Sequence, residues 1–521
     1  MSQARRIFLL NAAQLAAAAV SMPGLVRAAG PSYPFSLGVA SGSPLPDGVI
    51  LWTRVLVNPL ANPLVNPLDA EVNALAYAVR WEVAEDEAFS RIAARGSASA
   101  VPALAHSVHV DVRGRRPGRW YWYRLLLGDA LSPVGRTRTA PAAAELPALL
   151  KLVVASCQHW EFGTYAAHRH IAAAAPDLVA FVGDYIYEWG PYRLTHPDKA
   201  VRSNESFTLS DYRARYAQYK SDRDLQAAHQ AAPWIVTWDD HEVVNDYTGN
   251  VDAGGLAGFA ARRAAAYQAF YEHMPIRLPA ASSHTQFSMF QRYDWGRLAR
   301  FHVLDDRQYR APHACGVSTA RRRDCAQLEN PQRAMLGAAQ EAWLAQGLQG
   351  SGARWNILAQ QTLMAQASQE RIIKPGDGRF WTDGWDGYPA ARRRLFDLLA
   401  QSRAANPLVV SGDVHSFFAS ELRRDFDQPA SNSNPVLAAE FCGTSITSSS
   451  RPQSRTDQMV ATNPHIRYGR SDRRGFILLA VTPTTSTASF MGLDDVHNAA
   501  SDVATLARFT VAAGSARINA V

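Results

Sequence analysis

The residues able to do chemistry in this chain are metal-ligand types, and they recur at the ends of short apolar runs. Cys157 closes LKLVVAS, Asp184 and Tyr187 follow LVAFVG, Asp239-Asp240-His241-Glu242 follow WIVTW, and Asp413-Val414-His415 follow PLVVSG. A carboxylate such as Asp184 can bridge two cations. A phenol three residues on can reach one of them if the metal is acidic enough to take its proton, as Fe3+ is. A coordinating thiol is deprotonated outright. Cys157, Tyr187, His415 and the bridging Asp184 therefore suit a trivalent or borderline metal, whereas Asp240, Asn245 and Asp413 offer oxygen only, which suits a hard cation such as Ca2+ or Mg2+. Two chemically unlike metal positions are expected.

These runs of Val, Leu, Ile and Phe bounded by Gly, Pro or Asp read as buried strands of an α/β sheet. Ligands in such sheets collect beyond the carboxyl ends of the strands, so the four runs are expected to deliver their side chains to one sheet edge. From Ala148 onward strands alternate with Ala-rich helical segments, among them Gly258 to Met274 and Pro331 to Gln349. Residues 31–145 differ. Val49–Trp52, Ala78–Val83, His109–Val112 and Trp120–Arg124 alternate polar and apolar residues with turn residues between them, the pattern of a small antiparallel β-sandwich. The Ala/Pro stretch Thr139 to Pro147 reads as the linker to a second domain over 146–521.

Residues 1–30 carry Arg5-Arg6 ahead of an apolar, Ala-rich stretch and end in Val26-Arg27-Ala28, the form of a twin-arginine export signal. This predicts passage through the twin-arginine machinery and a periplasmic or secreted protein. No later stretch is apolar over the roughly 18 residues a spanning helix needs, so no transmembrane anchor is expected. The net charge of +7 is spread over scattered arginines. The triple runs Arg321–Arg323 and Arg392–Arg394 read as solvated helix faces rather than a nucleic-acid footprint. Of four cysteines, Cys315 and Cys325 flank a polar loop and are expected to form a local disulfide in an oxidising compartment, while Cys442 reads as a buried inert thiol.

Gly183-Asp184-Tyr185-Ile186-Tyr187, the Asp-His-Glu segment and Gly412-Asp413-Val414-His415 resemble the metallophosphoesterase motifs of purple acid phosphatases. With Ala155-Ser156-Cys157-Gln158, Phe35 to Gly42, Leu51-Trp52-Thr53-Arg54 and Arg262 to Pro275, the chain resembles the PhoD-type alkaline phosphatases from about residue 33 onward. The resemblance implies a metallophosphoesterase-type β-sheet sandwich flanked by helices behind the N-terminal β domain. It implies Fe3+ on Cys157, Asp184, Tyr187 and His415, and Ca2+ near Asp184, Asp240, Asn245 and Asp413; register with the purple acid phosphatase motif favours Asp240 over Asp239. His241 falls where a residue that contacts phosphate and protonates the leaving group would sit. Arg262 or Arg263 is the expected phosphate clamp, since a guanidinium grips two phosphate oxygens. Some members of the family carry a C-terminal helix over the site; Ala512 to Val521 is too weakly patterned to assign one.

The implied activity is hydrolysis of phosphate mono- and diesters by a metal-activated hydroxide, releasing inorganic phosphate, with no Ser or Thr nucleophile. A monomer is expected. Two other readings stand beside this one: a phosphodiesterase acting on phospholipid head groups, and a non-catalytic phosphate- or metal-binding protein, which would show broken ligand positions.

Overall fold

The computed structural model describes residues 33–56, 75–191, 204–252, 255, 257–278, 288–316, 320–322, 325–374 and 377–521; the segment expected to be an export signal, residues 1–30, lies outside them. Two large sheets stack face to face. The first has ten strands in the order Asn519–Ala520, Val503–Ala512, Thr485–Leu493, Gly475–Val481, Leu150–Ala155, Leu178–Phe181, Trp234–Val236, Val39–Leu45, Gly48–Arg54 and Ser107–Val112. The second has seven: Gln291–Trp295, Ala299–Val303, Trp355–Ala359, Pro407–Ser411, Val436–Cys442, Phe417–Arg423 and Ile466–Arg470.

Continuous apolar runs arise because the central strands are buried on both faces. Leu152 and Val154 point into the layer between the sheets with Ile357, Val410 and Phe441. Their neighbours Val153 and Ala155 pack outward against Ile171, Leu225 and Phe270 of the helices Ala166–Ala173, Arg223–Ala231 and Phe259–His273. Successive side chains of a strand alternate faces, so both parities must be apolar here. On the second sheet Val409 meets Leu344 and Leu395 of the helices Gly337–Gln349 and Pro389–Ser402. The order helix, sheet, sheet, helix is the α/β sandwich expected from sequence.

The four ligand-bearing runs are not on one sheet. Leu150–Ala155, Leu178–Phe181 and Trp234–Val236 are adjacent in the ten-stranded sheet, whereas Pro407–Ser411 lies in the other. Hydrophobic pattern shows that a strand is buried on both faces but not which sheet it joins. The two sheets bring their strand ends together across the layer they share.

At the N-terminus, Ile92–Ala100, Tyr77–Ala84, Trp120–Leu127, Ala130–Leu131 and Gly135–Arg138 form an antiparallel sheet. Its Val79, Val83, Tyr123 and Leu125 bury against Val39, Leu51 and Val108. The facing layer of this sandwich is continuous with the ten-stranded sheet, joined where Gly42 pairs with Trp234. Cys315 and Cys325 are joined as a disulfide with Cα atoms 6.4 Å apart. Arg392, Arg393 and Arg394 pair with Asp386, Glu329 and Glu341. The helix expected from Pro331 starts at Gly337, because Ala334 lends its carbonyl to Ala311 N at 2.9 Å. Residues Val503 to Val521 form edge strands rather than a helix over the site. Among the described residues no helix is long and apolar enough to cross a membrane.

Candidate active site

Three of the four runs end in a tight, left-handed backbone. Cys157 (φ 60°), Asp184 (φ 56°), Asp413 (φ 61°) and His415 (φ 53°) all occupy the region non-glycine residues avoid, at a cost of about 1–3 kcal/mol each. Such conformations persist where the surroundings over-determine them. Gly183 makes one close approach possible, since a Cβ there would lie 2.5 Å from Asp239 Cβ. Gly412 makes another, since its Cβ would lie 2.2 Å from Ser156 Oγ. Glu242 ties two loops together: its buried carboxylate accepts from the backbone N–H groups of Asp184 (3.1 Å), Tyr185 (2.6 Å) and Asp239 (2.8 Å). This accounts for the last residue of the Asp-His-Glu segment.

The loops converge on a cavity of about 670 Å³ whose floor includes Asp184, Tyr187, Asp240, His241, Asp413 and His415, with Asn245 beside them. Cys157, Asp184 and His415 bring one ligand atom each to within 4.8 Å of one another. Tyr187 Oη donates to Asp184 Oδ2 at 2.8 Å and lies 3.2 Å from His415 Nε2. His415 Nδ1 donates to the Ser449 carbonyl at 2.7 Å, which turns Nε2 toward the cluster, the arrangement that orients a metal-ligating imidazole. Burial, with Arg474 nearby, pushes its pKa down to about 3, so the ring is neutral.

The donor set fits a metal. Asp184 Oδ1 is buried and has no hydrogen-bond partner. Burial and then the Asp184 charge push the Cys157 thiol well up, and burial does the same to Tyr187; only a cation among them makes thiolate and phenolate accessible. On the oxygen-rich side, burial pushes Asp413 up to about 6, and burial with the Asp383 and Asp240 charges pushes Asp246 up to about 8. Ligand atoms of Asp240, Asp246 and Asp383 also lie within 4.8 Å of one another. Carboxylates crowded to this degree favour a divalent ion beside them.

Asp240, not Asp239, lines the cavity. Asp239 sits beneath, paired with Arg307 Nε, while Arg307 Nη1 reaches Asp383 Oδ2 at 2.5 Å and Nη2 lies 3.6 Å from Asp240 and 4.0 Å from Asp413. Arg307 is fully buried and forms a fixed cation under the acidic group. His241 stands at the other side. Its Nδ1 donates to Glu188 Oε2 at 2.7 Å, and its ring lies against Tyr187 and Trp189 with centroids 4.1 and 4.5 Å away. Burial opposes protonation of this ring, but Glu188, Asp240 and Asp184 outweigh it and hold the pKa well above the usual value.

The two arginines singled out from sequence are elsewhere. Arg262 donates to Tyr212 Oη (3.0 Å) and Glu205 (2.8 Å), and Arg263 donates to the Gly249 carbonyl (2.6 Å). Neither lines the cavity; the helix Phe259–His273 presents them to its own neighbours. The arginines that do line it are Arg451 and Arg455. Glu188, Asp246, Arg307 and Asp383 are further members of the site that the sequence reading gave no role. Arg307 had a legible signal, since the run FHVL before Asp305-Asp306-Arg307 follows the same strand-end grammar as the others. Asp383, in a turn-rich stretch, had none.

Residues 152–490 match the family described as PhoD-like phosphatase, and residues 18–141 match its N-terminal domain. The chain is 42% identical over 486 residues to alkaline phosphatase D of Bacillus subtilis (strain 168), covering 92% of this chain and 81% of that protein. A solved structure titled "Structure of PhoD" superposes with a TM-score of 0.88 at 40% identity, covering 96% of this chain and 93% of that one.

Proposed function

Because this chain belongs to the PhoD-like phosphatase family and is a phosphoric ester hydrolase, we propose that it is an exported, metal-dependent phosphatase and phosphodiesterase that releases inorganic phosphate from a range of esters. The observation that carries the reading is the meeting of two donor sets at one cavity, with Cys157 beside the lining residues Asp184 and His415. Cys157, Asp184, Tyr187 and His415 would hold Fe3+, and Asp184, Asp240, Asn245 and Asp413 would hold Ca2+. Bound there, the metals supply Lewis acidity toward the phosphoryl oxygens and activate water as the nucleophile.

The protein's own groups do the rest. Arg451 lines the cavity close enough to Asp413 to feel its charge, and it takes the phosphate-clamping role expected of Arg262 or Arg263. His241, held protonated by Glu188, presents Nε2 to the cavity and donates its proton to the departing oxygen. Glu188 fixes both the ring orientation and the tautomer, and Trp189 shields the pair from one side. Export by the twin-arginine route is supported by the leader sequence and by the Cys315–Cys325 disulfide, which belongs to an oxidising compartment.

Metal analysis of the purified full chain beside a panel of esters tests the reading. Iron and calcium should both be present, with visible absorption from ferric phenolate–thiolate charge transfer, and a nitrophenyl monoester and a bis-nitrophenyl diester should both be hydrolysed. A colourless, fully active protein holding only zinc would overturn the metal assignment. Comparison with phosphatidylcholine tells soluble from lipid diesters.

A further inference from the structure

The cavity lining beyond the acidic residues, its second arm, is of different character. It includes Arg451 and, from the helix Gln453–Thr462, Arg455 and Met459, together with Leu363, Trp381 and Trp385. Arg455 and Met459 are four residues apart and therefore share a helix face. Arg451 donates to the Met459 sulfur (3.0 Å) and the Val414 carbonyl (3.3 Å) and faces the Asp413 charge, and among the described residues neither it nor Arg455 forms a salt bridge. Arg213, Arg307, Arg310 and Arg392, by contrast, are each buried with an acid. The carboxylate within the arm, Asp386, is already occupied by Arg392 Nη1 at 2.7 Å and the Ala367 N–H at 2.9 Å. Two arginines without a salt bridge, on the lining of a cavity that also carries Trp381 and Trp385, leave positive charge for an anionic ligand to neutralise.

We infer that this arm is a second anion subsite: Arg451 holds the scissile phosphoryl group while Arg455 holds another anionic group carried by the esterifying alcohol, whose apolar body lies against Trp381 and Trp385. The preferred substrates are then diesters of alcohols that bear a further phosphate, sulfate or carboxylate. The inference rests on the phosphodiesterase reading above.

The test compares thymidine 5′-(4-nitrophenyl phosphate) with the same diester carrying a 3′-sulfate, following nitrophenolate release by the full, metal-loaded protein. The sulfate is expected to raise kcat/KM on the order of tenfold, the worth of one charge-assisted contact, mostly through KM. Arg455→Gln should collapse that ratio toward unity, and Arg455→Lys should keep most of it. Salt should erode the preference, and 3′-sulfothymidine should compete more strongly than thymidine. Equal kcat/KM for the two diesters, or a preference that survives Arg455→Gln, overturns the subsite while leaving the phosphodiesterase reading standing. Failure to release nitrophenolate from either diester overturns both.

Discussion

His241 and Glu188 form a buried pair, Nδ1 to Oε2 at 2.7 Å, so the imidazole reaches the cavity with one nitrogen fixed and the other free. Glu188 also accepts from the Asn245 N–H at 2.8 Å, which ties the position of the acid to the oxygen-rich metal position. His241→Ala is expected to retain both metals while losing turnover by roughly 10²–10⁴-fold on an alkyl ester, and by much less on a nitrophenyl ester whose leaving group needs no proton. Glu188→Gln should shift the alkaline limb of the rate profile to lower pH, because the imidazolium loses its main support. Loss of metal in His241→Ala, or equal losses on both esters, would show that His241 is a ligand or a simple electrostatic clamp.

Cys157→Ser separates a ligand from a packed thiol. As a ligand, its replacement should abolish the visible absorption, remove most of the iron and lower kcat by orders of magnitude. As a structural thiol it would cost about 1–3 kcal/mol for an awkwardly placed hydroxyl and leave activity nearly intact. Iron content and kcat of the variant decide between the two.

Arg307 is expected to organise the oxygen-rich position from below. Arg307→Met leaves Asp239 buried without its cation and removes one of the partners of Asp383. Breaking a buried pair on one side should destabilise the protein by about 3–5 kcal/mol. Urea unfolding should show this, and added calcium should recover part of the loss. A variant as stable as wild type with unaltered calcium binding would remove Arg307 from this role.

Lys220 gives a pH dependence of stability. It is buried over the face of Trp52 at 4.2 Å, and desolvation lowers its pKa to about 7, against about 10.4 in the unfolded chain. Between these values the unfolded chain binds more protons, so stability rises with pH from about 7 to 10 on account of this residue and gains nothing from it below 7. Lys220→Met should flatten that rise. Chemical denaturation at pH 7 and pH 10 measures the difference between the two slopes.

The sequence by itself determined the family and which residues are candidates for its chemistry. Cys157, Asp184, Tyr187, Asp413 and His415 each follow a short run apolar at both parities and bounded by Gly, Pro or Asp, which reads as a strand buried on both faces with its functional group in the loop beyond. Local pattern also marked the antiparallel strands near the N-terminus and the Cys315–Cys325 loop. What local pattern cannot carry is how distant segments meet. That Pro407–Ser411 belongs to a different sheet from Leu150–Ala155 follows from packing between layers, because both sheets present the same apolar faces to the interior. Arg262 and Arg263 sat in a segment with the right motif, yet the rotation of their helix against Tyr212 and Gly249 turned them away. Arg307, Asp383 and Glu188 entered the site through buried ion pairs and hydrogen bonds spanning 53 to 76 residues. Those pairings are set by desolvation in the folded interior, where an unpaired charge is too costly to persist, and no spacing along the chain records them.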